Sequence, residues 1–189
     1  MLEEEKLFES LSPWQQLAVA AALVRRMYAN FALFCELSEF ADAKRFQLIL
    51  ALVWEFVSGL NDDVDFEKQQ HKLDLITPNP DDYDMYGVWP ALDAITGLSI
   101  LIGACKHWDR EEINSLLKLS RSTIDAYITL TDEAALSPTH PLHLLSQSFI
   151  QQAAQQLLAD IAAHGRKQAV RNLRLMAEGV EESNIGLAI

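Results

Sequence analysis

Between Ala43 and Gly59 the chain sets Phe46, Ile49, Leu50, Val53, Trp54 and Val57 at i, i+3, i+4, i+7, i+8 and i+11. Only a helix with one face turned to a core gathers such a series into a single stripe. The same three-to-four spacing recurs from end to end, and no run of strict alternation long enough for a strand interrupts it. With 7 Gly and 6 Pro, the chain is also poor in the turn residues that sandwiches and barrels consume. The expected fold is therefore all-α: one domain over residues 1–189, an up-and-down-like bundle of about seven to nine helices.

Local signals place the helix ends. Ser12-Pro13-Trp14-Gln15 supplies a capping serine, a proline in the first turn and a glutamine at the capping-box position. The helix that follows is apolar nearly all round, with Trp14, Leu17, Ala18, Ala21, Val24 and Tyr28 on one face and Ala20, Leu23 and Met27 on another, which suits the centre of a bundle. Asn30 is expected to break or kink it before Phe31–Phe40. Asp42 and Gly59 should bound the striped helix, and Asp65 should open a more polar one through about Ile76.

Thr77–Asp84, with two prolines and clustered Asx residues, reads as irregular. A second buried helix is expected from Trp89 to Lys106, with Leu92, Ile95, Thr96, Ser99, Ile102 and Gly103 on its packed side. Gly97 and Gly103 should mark the close approach of another backbone. Asp109 caps a helix to about Ala135, and Ser137–Pro141 punctuates the chain again. Leu142–Ala163 carries Leu145, Phe149, Ile150, Ala153, Leu157 and Ile161 and stops at Gly165. A last helix runs from Arg166 to about Glu178, before an apolar tail.

Fifteen Lys and Arg against 27 Asp and Glu give a net charge of -12. A surface this acidic repels phosphate backbones and anionic bilayers, so neither a nucleic acid nor a membrane is an expected partner. The apolar runs Leu17–Val24 and Leu48–Trp54 fall well short of the roughly 20 residues that span a bilayer. The acidic Met-Leu-Glu-Glu-Glu-Lys start does not resemble a secretion signal, so a cytoplasmic location is expected. Cys35 and Cys105, each inside an apolar helical pattern, read as reduced, buried residues.

No glycine-rich phosphate cradle, Walker lysine, nucleophile elbow, Glu-x-x-His pair or His-Glu-x-x-His motif is present, so no cofactor is expected. His140 and His143 flank Pro141 and read as exposed loop histidines rather than metal ligands. Asp62, Asp63, Asp65 and Glu67, and then Asp81, Asp82 and Asp84, read as solvated caps and turns, and no metal site is expected. Arg166, Lys167, Arg171 and Arg174 concentrate in the last helix, the last three on one face. They suit either an anionic ligand or, more economically, the chain's own acidic loops. Asp93 lies inside an apolar helix, where a carboxylate needs a partner, and Arg25 is the candidate.

Several segments carry a family resemblance: Trp14-Gln15, Arg26–Phe34, Ile49–Glu55, Asp84–Ala94 and Glu182–Leu187. In that order they resemble the YjaG-like family of small bacterial proteins, domain of unknown function 416. The resemblance implies a helical bacterial protein without assigned catalytic residues.

Two functional readings follow. The leading one is a non-enzymatic protein acting through protein–protein contacts, as a homo-oligomer and most simply a dimer. Its motive is the apolar surplus of the two buried helices and of the Ile185–Ile189 tail. The alternative is a small-ligand-binding protein or enzyme. Its pocket would be walled by Asp82, Tyr83, Asp84, Tyr86 and Asp93, with Ser183 and Asn184 adding polar groups from the C-terminal turn.

Overall fold

The computed structural model describes residues 3–131 and 136–187. Among these, eight α-helices follow one another: α1 (Glu3–Ser10), α2 (Pro13–Ser38), α3 (Lys44–Ser58), α4 (Phe66–Asp74), α5 (Val88–Lys106), α6 (Arg110–Thr131), α7 (Pro141–His164) and α8 (Arg166–Glu178). A single 3-10 turn, Pro80–Asp82, lies in the segment read as irregular. No β-strand occurs among the described residues. The fold is an all-α helical bundle. The expected end of α6 near Ala135, and the last two residues of the apolar tail, lie outside the described residues.

α2 runs through the middle and touches every other helix except α4. Its all-round apolar character is the reason: residues Ala18 to Val24 are fully buried, and their mostly small side chains let several helices come close at once. The most extensive packing is between α2 and α5, although α3 and α4 intervene in sequence. Both α2 and α5 are long and apolar enough to cross a bilayer, unlike the shorter apolar runs within the sequence, and here each is largely enclosed by its neighbours. Phe46, Ile49, Leu50, Val53, Trp54 and Val57 of α3 are all buried, as the stripe requires.

Most caps act as their sequence suggests, although Ser12 Oγ itself takes no capping hydrogen bond among the described residues. Gln15 Oε1 accepts the Ser12 N–H at 2.8 Å, Asp65 that of Lys68 at 2.9 Å, and Asp109 that of Glu112 at 2.9 Å. Asp42 accepts from Lys44 N–H at 2.9 Å, just ahead of α3. Gly59 ends α3 at φ 73°, in the left-handed region that a glycine enters without strain.

Four expectations are corrected. Asn30 neither breaks nor kinks the chain, because α2 is continuous to Ser38 and the buried Asn30 amide finds a distant partner. The packed face of α5 is centred on Ala91, Ala94, Ile95, Leu98, Leu101 and Ile102, whereas Thr96 is exposed. Gly97 does mark tight packing, but against side chains rather than a backbone. A Cβ there would stand 3.0 Å from Leu116 Cδ1 and 3.5 Å from Met27 Sδ. Leu145 of α7 points outward, 49% exposed.

Candidate functional site

α6 turns Ser120, Thr123 and Tyr127 along one face, at i, i+3 and i+7, and three of the expected site residues meet it there. Thr123 Oγ1 donates to Asp93 Oδ2 at 2.7 Å. Asn184 Nδ2 donates to the Ser120 carbonyl at 3.3 Å and to Ser120 Oγ at 3.1 Å, while its Oδ1 accepts from Asn30 Nδ2 at 2.9 Å. The Tyr86 ring lies 6.4 Å from that of Tyr127. Ser183, fully buried beside Asn184, holds the C-terminal turn together: its Oγ accepts the N–H groups of Ile185 and Leu187 at 3.2 Å.

The other three residues stand differently. Tyr83 packs edge-on against Phe34 and Phe40, with centroids 4.9 and 6.0 Å away, at the far end of α2. Asp82 and Asp84 face solvent. The structure thus brings Tyr86, Asp93, Ser183 and Asn184 to one seam, and occupies Asp93 and Asn184 with hydrogen bonds to the protein itself.

The Arg25–Asp93 pair does not form. The Arg25 guanidinium sits 5.2 Å over the Tyr28 ring, and Asp93 takes Thr123 as its partner. Two residues of α2 that sequence reasoning misses complete the seam. Arg26 is 4% exposed, with Nε 3.4 Å from the Glu182 carbonyl and its guanidinium 5.2 Å over Phe149. Asn30 is 2% exposed. Their signal is present in the sequence: two polar residues, one turn apart, in the middle of a largely apolar helix.

Burial sets the electrostatics of the seam. It pushes the Asp93 carboxyl above its ordinary range, with the Thr123 hydrogen bond pulling the other way. Burial and then the nearby Asp93 charge raise Tyr86. Burial lowers Arg26, against the attraction of Glu182. The two free cysteines are buried, and desolvation lifts Cys35 to about 11 and Cys105 to about 12, far from a reactive thiolate.

A carboxyl whose pKa is higher folded than unfolded takes up a proton on folding. Its favourable contribution is present below the unfolded pKa and fades as pH rises through the folded one. Asp93→Asn keeps an acceptor toward Thr123 without the charge. It is expected to unfold at higher urea than the wild type near pH 8, with the gap closing toward about pH 4. Urea melts at the two pH values check this, and a gap that stays constant would show that the Asp93 charge is not what burial penalises.

His143 is not an exposed loop histidine. It is 6% exposed, with Nε2 3.0 Å from Asp125 Oδ1, while His140 caps α7 by accepting the Leu142 N–H at 3.2 Å. The described residues contain no group of three or more His, Cys, Asp or Glu placed to hold a metal ion.

The basic face of α8 does not reach the acidic loops either. Arg174 pairs within its own helix with Glu178 at 2.8 Å. Arg166 donates to the Val57 carbonyl at 2.8 Å and stacks 4.6 Å over Trp14. Lys167 and Arg171 form no ion pair among the described residues.

α3 also carries apolar side chains on its outer surface. Arg45, Leu48, Leu52 and Glu55 follow one another along it, and Leu48 is 67% exposed. On one side a groove of about 470 Å³ separates α3 from α4, with Lys72 and the 75%-exposed Leu75 on its far wall. On the other side a groove of about 510 Å³ separates α3 from α8.

Against known proteins, residues 4–188 match the model of a family described as "Protein of unknown function (DUF416)". The "Uncharacterized protein YjaG" of Salmonella typhimurium is 33% identical over 189 residues, covering 95% of this chain and 93% of the relative. An "Uncharacterized protein" of Haemophilus influenzae is 45% identical over 100 residues, covering 52% of this chain and 51% of its own. A crystal structure of a DUF416 family protein from Shewanella baltica OS155 superposes with a TM-score of 0.85 at 26% identity, covering 100% of both chains.

Proposed function

The chain belongs to the DUF416 family of proteins of unknown function, and from that premise we propose that it acts by binding protein surfaces, beginning with a second copy of itself, through the outward stripe of α3. The order of side chains along that stripe carries the reading. Arg45, Leu48, Leu52 and Glu55 stand at i, i+3, i+7 and i+10, the alternating spacing of a helix–helix seam. Laid antiparallel across a two-fold axis, the stripe meets its own copy with Leu48 opposite Leu52 and Arg45 opposite Glu55. A two-fold interface requires this kind of self-complementarity. Leu75, on the rim of the adjoining groove, extends the apolar surface.

The apolar surplus evident in the sequence is not the source of this surface. Most of α2 and Ile185 are buried inside one protomer, so the interface has to come from residues left outside. Burying a leucine stabilises by about 1.5–3 kcal/mol, and a peripheral Arg–Glu pair by about 0–1 kcal/mol. The leucines therefore supply affinity and the charges supply orientation. Set against an association cost of about 4–15 kcal/mol, the outcome is a weak dimer that depends on concentration.

Light scattering from micromolar to millimolar protein should show the mass rising from 21.3 kDa toward twice that value. Arg45→Glu places like charges at both ends of the stripe and should shift the rise to higher concentration. Adding Glu55→Arg in the same chain should restore it. A mass of 21.3 kDa throughout the range would reject the interface.

A further inference from the structure

We propose that the groove between α3 and α8 binds a phosphorylated small molecule. Its volume of about 510 Å³ is that of a small-ligand site. Trp54, Leu60 and Val170 make its apolar walls, and Lys167, Arg171 and Arg174 line the α8 side. A smaller hollow of about 170 Å³ shares Trp54 and Arg174 with it and adds Arg25 and Glu178.

Around the two hollows, four cations face two carboxylates, in a chain whose net charge is -12. Both carboxylates are engaged by the protein. Glu178 binds Arg174, and Glu55 accepts from Asn61 Nδ2 at 3.3 Å. Lys167 and Arg171, both exposed, form no ion pair among the described residues. The local excess of positive charge is therefore available to something else.

Two further observations narrow the chemistry. Trp54 is 3% exposed, and its indole Nε1 has no acceptor, although the residue forms part of the wall of both hollows. That N–H is sealed from solvent beneath the wall, so it reports on what settles against the Trp54 ring rather than meeting a ligand itself. α8 begins beside the groove with Gly165, which has no side chain to cap it, and with no acid in its first turn. No carboxylate of that turn offsets Lys167 and Arg171.

A phosphate group carries about -1.5 to -2 charge and three acceptor oxygens, which matches several cationic side chains at one place better than the single charge of a carboxylate. Trp54 and Leu60 fit the organic body that carries the phosphate. The groove shares only Glu55 with the stripe proposed as an interface, and none of its cations.

Phenyl phosphate and benzoate, titrated at matched ionic strength into the full-length ¹⁵N-labelled protein, separate the possibilities. The Trp54 indole N–H resonance, identified by its loss in Trp54→Phe, should shift to saturation with phenyl phosphate and not with benzoate. Lys167→Glu combined with Arg171→Glu should weaken that binding by at least about tenfold while circular dichroism stays helical, since both side chains are exposed. Lys118→Glu, which removes an exposed cation of α6 outside both hollows, should bind as the wild type does. Equal saturation by benzoate, unsaturable shifts, or unchanged binding by the double variant would each overturn the assignment.

Discussion

Replacing Phe46 by alanine is expected to cost about 3–5 kcal/mol of stability, roughly a fifth or more of what a domain of this kind possesses. Phe46 is fully buried and is the ring by which α3 is held to α2. Its centroid lies 5.3 Å from that of Tyr28 and 5.6 Å from that of Phe31, two residues almost a turn apart on α2. Truncation removes the transfer energy of the ring and leaves a cavity walled by two large aromatics and the α3 backbone, none of which can collapse into it easily. The urea midpoint should fall with little change in slope. Leu48→Ala, two residues further along but 67% exposed, should change stability by no more than about 0.5 kcal/mol at dilutions where the monomer dominates. Similar costs for the two would mean that α3 is not docked through its aromatic face.

The same pair of residues shows what one dimension of sequence can and cannot convey. In α3 six apolar positions at helical spacing make one stripe, so its inward face is legible and every residue of that stripe is buried, while Leu48 is left outside it. In α5 nearly every position is apolar, so the spacing identified a helix without fixing its rotation. The expected packed face was displaced toward Thr96, which is exposed. Local caps such as Asp65 and Asp109 could be read because donor and acceptor are three residues apart.

Partners separated by the whole fold could not be read. The Asn30–Asn184 bond spans 154 positions, and judged by helix propensity alone Asn30 was a breaker. The deficit of an asparagine inside a helix is below about 1 kcal/mol, less than the cost of leaving its buried amide unpaired, so the long-range contact decides. Asp93, a carboxylate inside an apolar helix, does take a partner. Which one it takes depends on the rotation of α5 against α6, and that rotation brings Thr123 rather than Arg25. For α8, charge counting favoured the acidic loops as partners. The helix instead lies against α3, where Trp54 and Leu60 are its neighbours across a groove.

Asn184→Ala is expected to cost on the order of 3 kcal/mol, a large effect for a change outside the apolar core. The amide ties three parts of the chain together. It accepts from Asn30 of α2 and donates to both oxygens of Ser120 on α6, and it is fully buried. Alanine leaves Asn30 Nδ2 without its acceptor in a place where Asn30 Oδ1 and Arg26 Nη1 already have no protein partner. The penalty is thus for stranded polar groups more than for the bonds themselves. That distinction is measurable. Asn30→Ala with Asn184→Ala should cost less than the sum of the two single changes, because the second removes the group the first stranded. Hydrogen exchange offers a local readout: the amides of Ile185 and Leu187, held by Ser183 Oγ, should lose protection in Asn184→Ala before those of α2 do. Additive costs, or unchanged protection of the two amides, would mean that the C-terminal turn is held by Ile185 packing against Ile124 and Ile128 rather than by its polar seam.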